Sequence, residues 1–135
     1  MPPHRLQAWQ ACVSGVSATP LEPGVFATRA RTLNYAVGTA SPEAYRLRAC
    51  ASFLDALSFV KPGIYLRNPW LTEMFETLGD VGYLCDTPEA MRGVMASVAE
   101  RFPADRYAAQ CRRIVEGRRR FEPAAAGRRL REILQ

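Results

Sequence analysis

The sequence predicts an α/β protein: a small parallel sheet of about three strands, flanked by helices and closed by a helical C-terminus. Two observations carry this. Short apolar runs alternate with amphipathic stretches of helical period, and the strand runs are apolar throughout rather than alternating. Strands of that kind are buried on both faces, which is the condition of a parallel sheet between helices. A third observation is a repeated start signal, a capping residue followed by proline and an acid, seen in Ser41-Pro42-Glu43 and Thr87-Pro88-Glu89 and in shorter form in Asn68-Pro69.

The elements follow in order. Residues 1–31 have no persuasive core face. Leu6 to Val13 and Val25 to Arg31 can each form a short helix, separated by Gly15, Pro20, Pro23 and Gly24. Thr32 to Val37 reads as the first strand, ended by Gly38. A helix then carries Leu47, Cys50, Ala51, Leu54 and Leu57 on one stripe. After the Lys61-Pro62-Gly63 turn, Gly63 to Arg67 is the second strand. The next helix buries Leu71, Met74, Phe75 and Leu78 and stops at Gly79. Val81 to Cys85 is the third strand. The following helix aligns Met91, Val94, Met95, Val98 and Phe102, and Pro103 ends it. Ala104 to Phe121 reads as one helix. Ala124 to Leu134 reads as a last one, with Leu130, Ile133 and Leu134 inward. Two regions result: a poorly defined segment 1–31 and a partial domain 32–135, whose early strands are expected to be missing.

Composition narrows the function classes. The 135 residues hold one core, with 48% apolar and 23% charged residues, as in ordinary globular proteins. No apolar run reaches the roughly 20 residues that span a bilayer, and no signal sequence is legible, so a cytoplasmic protein is expected. The net charge of +5 is almost wholly arginine, Lys61 being the only lysine. Cys12, Cys50, Cys85 and Cys111 have no metal-ligand spacing and His4 is the only histidine, so free thiols and no metal are expected. Arg112, Arg119 and Arg120 read first as the solvated face of a packing helix. The alternatives are contact with an anionic membrane surface or weak binding of an anionic ligand or nucleic acid. Nucleic acid is the less expected partner, since no aromatics interleave the arginines to support single-strand binding.

The stretch Tyr45 to Asp55 carries the chemistry. In an open α/β sheet, ligands bind beyond the carboxyl ends of the strands, where helix N-termini present free amides. A helix starting near Ala49 would bring small residues, Cys50, Ala51 and Ser52, up to a phosphate. Arg46 and Arg48 would add fork-shaped donors, and Asp55 an acceptor for a ribose hydroxyl. A continuous helix from Pro42 with solvated arginines is the competing reading. Trp70 can line a sugar site or pack beneath a loop.

Several short motifs, taken in order, resemble those of the C-terminal, donor-binding domain of GT-B glycosyltransferases. These are Asp55-Ala56-Leu57 before Lys61-Pro62-Gly63-Ile64, then Gly82-Tyr83-Leu84 before Glu89-Ala90-Met91, with Tyr35, Tyr45 and Arg48-Ala49-Cys50-Ala51 upstream. The resemblance covers about residues 20–135. It implies a Rossmann-like domain that binds a nucleoside-diphosphate sugar as substrate, without a cofactor, for transfer to an acceptor. Carried over, Arg48, Cys50, Ala51 and Ser52 lie by the diphosphate, Asp55 by the ribose and Tyr35 near the donor. The pattern departs at Leu47, where the family has an acid, at Val60, where it has glycine before Lys-Pro, and at Cys50-Ala51, where it has Ser-Gly. An acceptor domain is not expected within these 135 residues. A complementary N-terminal half, a homo-oligomer, or a non-catalytic interaction module that keeps part of the fold is the corresponding expectation for partners.

Overall fold

A computed structural model describes residues 19–39 and 49–135. The chain divides into two units, Met1–Thr32 and Leu33–Gln135. In the first, helix α1 spans Pro23–Thr32. Its start is capped by Glu22, whose carboxylate accepts from the Val25 amide at 3.0 Å. None of its residues is buried, in keeping with a segment that shows no core face in the sequence.

The second unit orders its elements as β1 (Ala36–Gly38), α2 (Ala51–Ser58), β2 (Gly63–Leu66), α3 (Pro69–Leu78), β3 (Gly82–Cys85), α4 (Pro88–Glu100) and α5 (Ala104–Gly117). A 3-10 turn over Arg118–Phe121 and α6 (Pro123–Ile133) close it. The strands form one parallel sheet in the order β1-β2-β3, with Val37 beside Ile64 and Ile64 beside Tyr83. This is the expected α/β class, a small Rossmann-like arrangement of parallel strands under helices.

Paired residues share a face, so the register sorts the core. On one face Tyr65 packs with Phe53 and Leu57 of α2, Leu71 and Leu78 of α3, and Ile114 of α5. On the other, Ile64 and Cys85 pack with Met91 of α4. Both faces of β2 are therefore covered, which explains its unbroken apolar run. The start signals work as anticipated at two sites. Asn68 Oδ1 accepts from Leu71 N at 2.9 Å, and Thr87 Oγ1 from Ala90 N at 3.1 Å. Gly79 ends α3 with φ 83°, a conformation that costs a side-chain-bearing residue about 1–2 kcal/mol.

Four expectations are corrected. The first strand occupies Ala36–Gly38, while Thr32 closes α1 and Gly38 lies inside the ladder. The stripe of α2 is centred on Phe53, Ala56 and Leu57, and Ala51 is exposed. The helix expected to reach Phe121 ends at Gly117 and tightens into a 3-10 turn. Its tip is held by Arg118, which donates to Ser58 O at 3.2 Å, at the carbonyl end of α2. Finally, Leu130, Ile133 and Leu134 are not inward. They are 58%, 79% and 76% exposed, because among the described residues α6 has its neighbours chiefly along the 3-10 turn.

Cys50 and Cys85 are buried free thiols and Cys111 a half-buried one. The Ser41-Pro42 start signal, Tyr45, Arg46, Leu47, Arg48 and Cys12 lie outside the described residues. No helix among the described residues is long and apolar enough to cross a membrane.

Candidate functional site

The chain leaves β1 at Gly38 and enters α2 at Ala51, so the carboxyl end of a strand and the start of a helix meet at one rim of the sheet. Cys50 takes an extended conformation (φ −90°, ψ 100°), the N-cap geometry from which α2 starts. Its carbonyl accepts from Phe53 N at 3.1 Å. Among the described residues no side chain caps the first turn of α2, unlike those of α3 and α4.

A cavity of about 320 Å³ lies at this rim. Val37 and Gly38 of β1 and Thr39 just beyond it line one side, Cys50 at the N-cap of α2 and Ser52 in its first turn the other, with Tyr65 and Leu71 below. Its size is that of a small-molecule site, about 300–1,000 Å³. The polar groups are the Thr39 and Ser52 hydroxyls and the Cys50 thiol, which lies 3.1 Å from Ser52 Oγ. Gly38 keeps the floor low. A Cβ there would come within 2.5 Å of Tyr65 Cδ1. Tyr65 is fully buried, and that burial, reinforced by Cys50, pushes its phenol well above its usual value. The ring is therefore neutral and forms the floor of the cavity.

Of the residues marked in the sequence, Cys50 and Ser52 line the cavity and Ala51 opens the helix between them. Asp55 is exposed one turn further along α2 and is not part of the lining. Tyr35 does not join this group. It precedes β1 at the amino end of the sheet and packs against Tyr83, Phe102 and Tyr107, with ring centroids 5.3–6.3 Å away. Trp70 is a packing residue, edge-on to Phe53 at 5.4 Å.

The aromatic group around Tyr35 is tied by charge. Arg106 stacks over the Tyr83 ring at 4.3 Å and donates to Asp80 from Nε at 3.2 Å and Nη2 at 3.4 Å. The Asp80 hydrogen bond raises the Arg106 pKa, so its charge is permanent. The buried Gln110 donates to Asp80 Oδ1 at 2.8 Å and Gly82 O at 3.2 Å, clamping α5 to the start of β3. Burial, assisted by Cys111, pushes Tyr107 up to about 12. Little in the sequence marks the cluster, because its members come from three separated stretches, at Tyr35, at Asp80 to Tyr83 and at Phe102 to Gln110.

A larger groove, about 640 Å³, runs past Leu54, Leu57, Ser58, Arg118, Phe121 and Glu122. It lies by the carbonyl end of α2, where the helix dipole disfavours an anion. A basic hollow of about 300 Å³ is framed by Arg119, Arg120, Arg128 and Arg129, with Glu132 at its side. Among the described residues no group of three or more His, Cys, Asp or Glu side chains converges as a metal site would require.

No protein-family model, curated protein or solved structure matches the chain. The class that fold and rim together define is an α/β protein with a small parallel sheet and an open concavity at its carboxyl edge.

Proposed function

We propose that this chain binds the diphosphate of a nucleoside-diphosphate sugar at the rim between β1 and α2, as the donor-binding part of a glycosyltransferase of GT-B type. The observation that carries the reading is the start of α2 at Ala51, directly across an open cavity from the end of β1. Two phosphates placed there meet helix amides, the Ser52 hydroxyl and the positive end of the helix dipole. These groups stabilise the diphosphate as it departs from the sugar. Ser52 and Cys50 hold the phosphates. Arg48, just before the described α2 entry, supplies the cation, and Asp55 receives the ribose.

A second observation supports the family reading. Val60 has φ 56°, a left-handed conformation rare for a β-branched residue. It stands where the GT-B pattern carries glycine before Lys-Pro, and the turn has a shape suited to that glycine.

Titration calorimetry with UDP, GDP and their sugars tests the proposal. Saturable heat is expected from the unaltered chain. Ser52→Tyr, at an exposed position on the cavity wall, removes it by filling the mouth. Arg48→Ala weakens binding by about tenfold or more, the loss of a charge-assisted contact of about 1.5–3 kcal/mol. Absence of heat with every nucleotide, or heat indifferent to Ser52→Tyr, removes the rim as a binding site.

A further inference from the structure

We infer that α6 is a surface anchor that lies along an anionic lipid bilayer, with Leu130, Ile133 and Leu134 in the acyl boundary and Arg129 and Arg131 at the headgroups. Helix α6 has eleven residues, none of them buried. Leu130 and Ile133 in the helix and Leu134 at its C-cap are the most exposed large apolar side chains in the described chain, at 58–79%. Leu130, Ile133 and Leu134 fall at spacings of three and four, so they make one stripe on one face. Arg129 and Arg131, one residue to either side of Leu130, border that stripe on both flanks. Glu132, the only acid in the helix, lies on the reverse with Arg128, against the basic hollow of the 3-10 turn.

This order of apolar stripe, arginine borders and polar reverse is that of a helix lying in the plane of a membrane interface. Arginine stems lie along the apolar layer while their guanidinium groups reach anionic headgroups. About 16 Å of helix is too short to cross a bilayer and long enough to lie on one. Arg119 and Arg120 in the adjoining turn add to the field that draws the helix toward an anionic leaflet.

Charge complementarity separates this partner from its rivals. A second copy placed stripe to stripe would bring Arg129 and Arg131 of each chain against the same arginines of the other. Nucleic acid would engage the arginines and leave the aliphatic stripe in water, and α6 has no aromatic residue on which a base could stack.

Flotation of the full chain tests the inference, with vesicles of pure phosphatidylcholine compared with two parts phosphatidylcholine to one part phosphatidylglycerol. The chain is expected to float with the mixed vesicles and to remain in solution with the neutral ones. Leu130→Glu with Ile133→Glu lowers the bound fraction about tenfold or more. Arg129→Gln with Arg131→Gln lowers it to a similar extent and removes its salt dependence. All four positions are exposed, so circular dichroism should report an unchanged fold. No flotation, or flotation that survives the two glutamates, overturns the inference. Retention on duplex DNA without flotation assigns the arginines to nucleic acid instead. A dimer on gel filtration that the glutamates abolish, again without flotation, assigns the stripe to self-association. Either result overturns the lipid anchor.

Discussion

The ring of Tyr65 occupies the space that a side chain on Gly63 would need. A Cβ on Gly63 would lie 1.7 Å from Tyr65 Cε2 and 2.6 Å from its hydroxyl oxygen. The two residues are neighbours on one face of β2, and the ring lies back over its own strand because Gly63 leaves the place empty. Gly63 ends the Lys-Pro turn, and Tyr65 floors the rim cavity. One pair thus joins the turn to the candidate site.

Gly63→Ala forces the ring to move and is expected to destabilise the chain by about 1–3 kcal/mol or more, as overpacking does. Urea denaturation measures it. Tyr65→Leu is destabilising alone, yet in the double variant the alanine finds room. The two substitutions should therefore cost less together than the sum of their separate effects. Strict additivity would refute the contact.

At position 60 the usual preference for alanine over glycine should reverse. Val60 holds φ 56°, so Val60→Ala loses packing and keeps the strained backbone, whereas Val60→Gly relieves it. Glycine is expected to be the more stable of the two by about 1 kcal/mol. Denaturation midpoints of the two variants decide it, and alanine ranking above glycine would contradict the assigned turn.

Loss of the Asn68 cap should be felt more than loss of the Thr87 cap. Both hydroxyl or amide oxygens hold a first-turn amide, but Asn68 is buried at 2% exposure and the Thr87 bond is open to water. Asn68→Ala is expected to cost about 1–2 kcal/mol and Thr87→Ala about 0.5–1 kcal/mol. Equal losses in thermal or chemical denaturation would show that burial does not set the worth of these caps.

Alkali should unfold the protein from about pH 10 upward. An unfolded tyrosine ionises near 10, while Tyr107 in the fold does so only at about 12, and burial also raises Tyr35 and Tyr65. The neutral phenols therefore contribute stability that is fully present below about pH 10 and is lost as the pH climbs toward 12. Denaturation midpoints between pH 8 and 11 should hold level and then fall. Tyr107→Phe should soften the fall, and an unchanged profile in that variant would remove Tyr107 from the account.

Much of this fold was legible because local signals agreed with the tertiary structure. Asn68-Pro69 and Thr87-Pro88 mark helix starts through their own cap geometry, and Gly79 marks a stop through its own φ. The apolar runs at Ile64 and Leu84 announce strands that are covered on both sides. What was not legible depends on neighbours distant in sequence. Leu130, Ile133 and Leu134 have the period of a core stripe, and nothing in the period tells that they stand exposed. Tyr35 is drawn to the amino end of the sheet by Tyr83, Phe102 and Tyr107, none of which is near it in the chain. At the site, the residue pattern left a start near Ala49 and a continuous helix from Pro42 both open, and α2 begins at Ala51. The separation of Ser52, on the cavity wall, from Asp55, one turn beyond it, required the backbone path.

The measurement that bears most directly on the central claim is a titration of UDP followed by amide resonances of the full chain. Binding at the rim should move the signals of Gly38, Thr39, Ala51, Ser52 and Phe53 in a saturable way and leave those of Arg119 to Glu132 in place. Shifts confined to the arginine-rich end, or none at the start of α2, would contradict it.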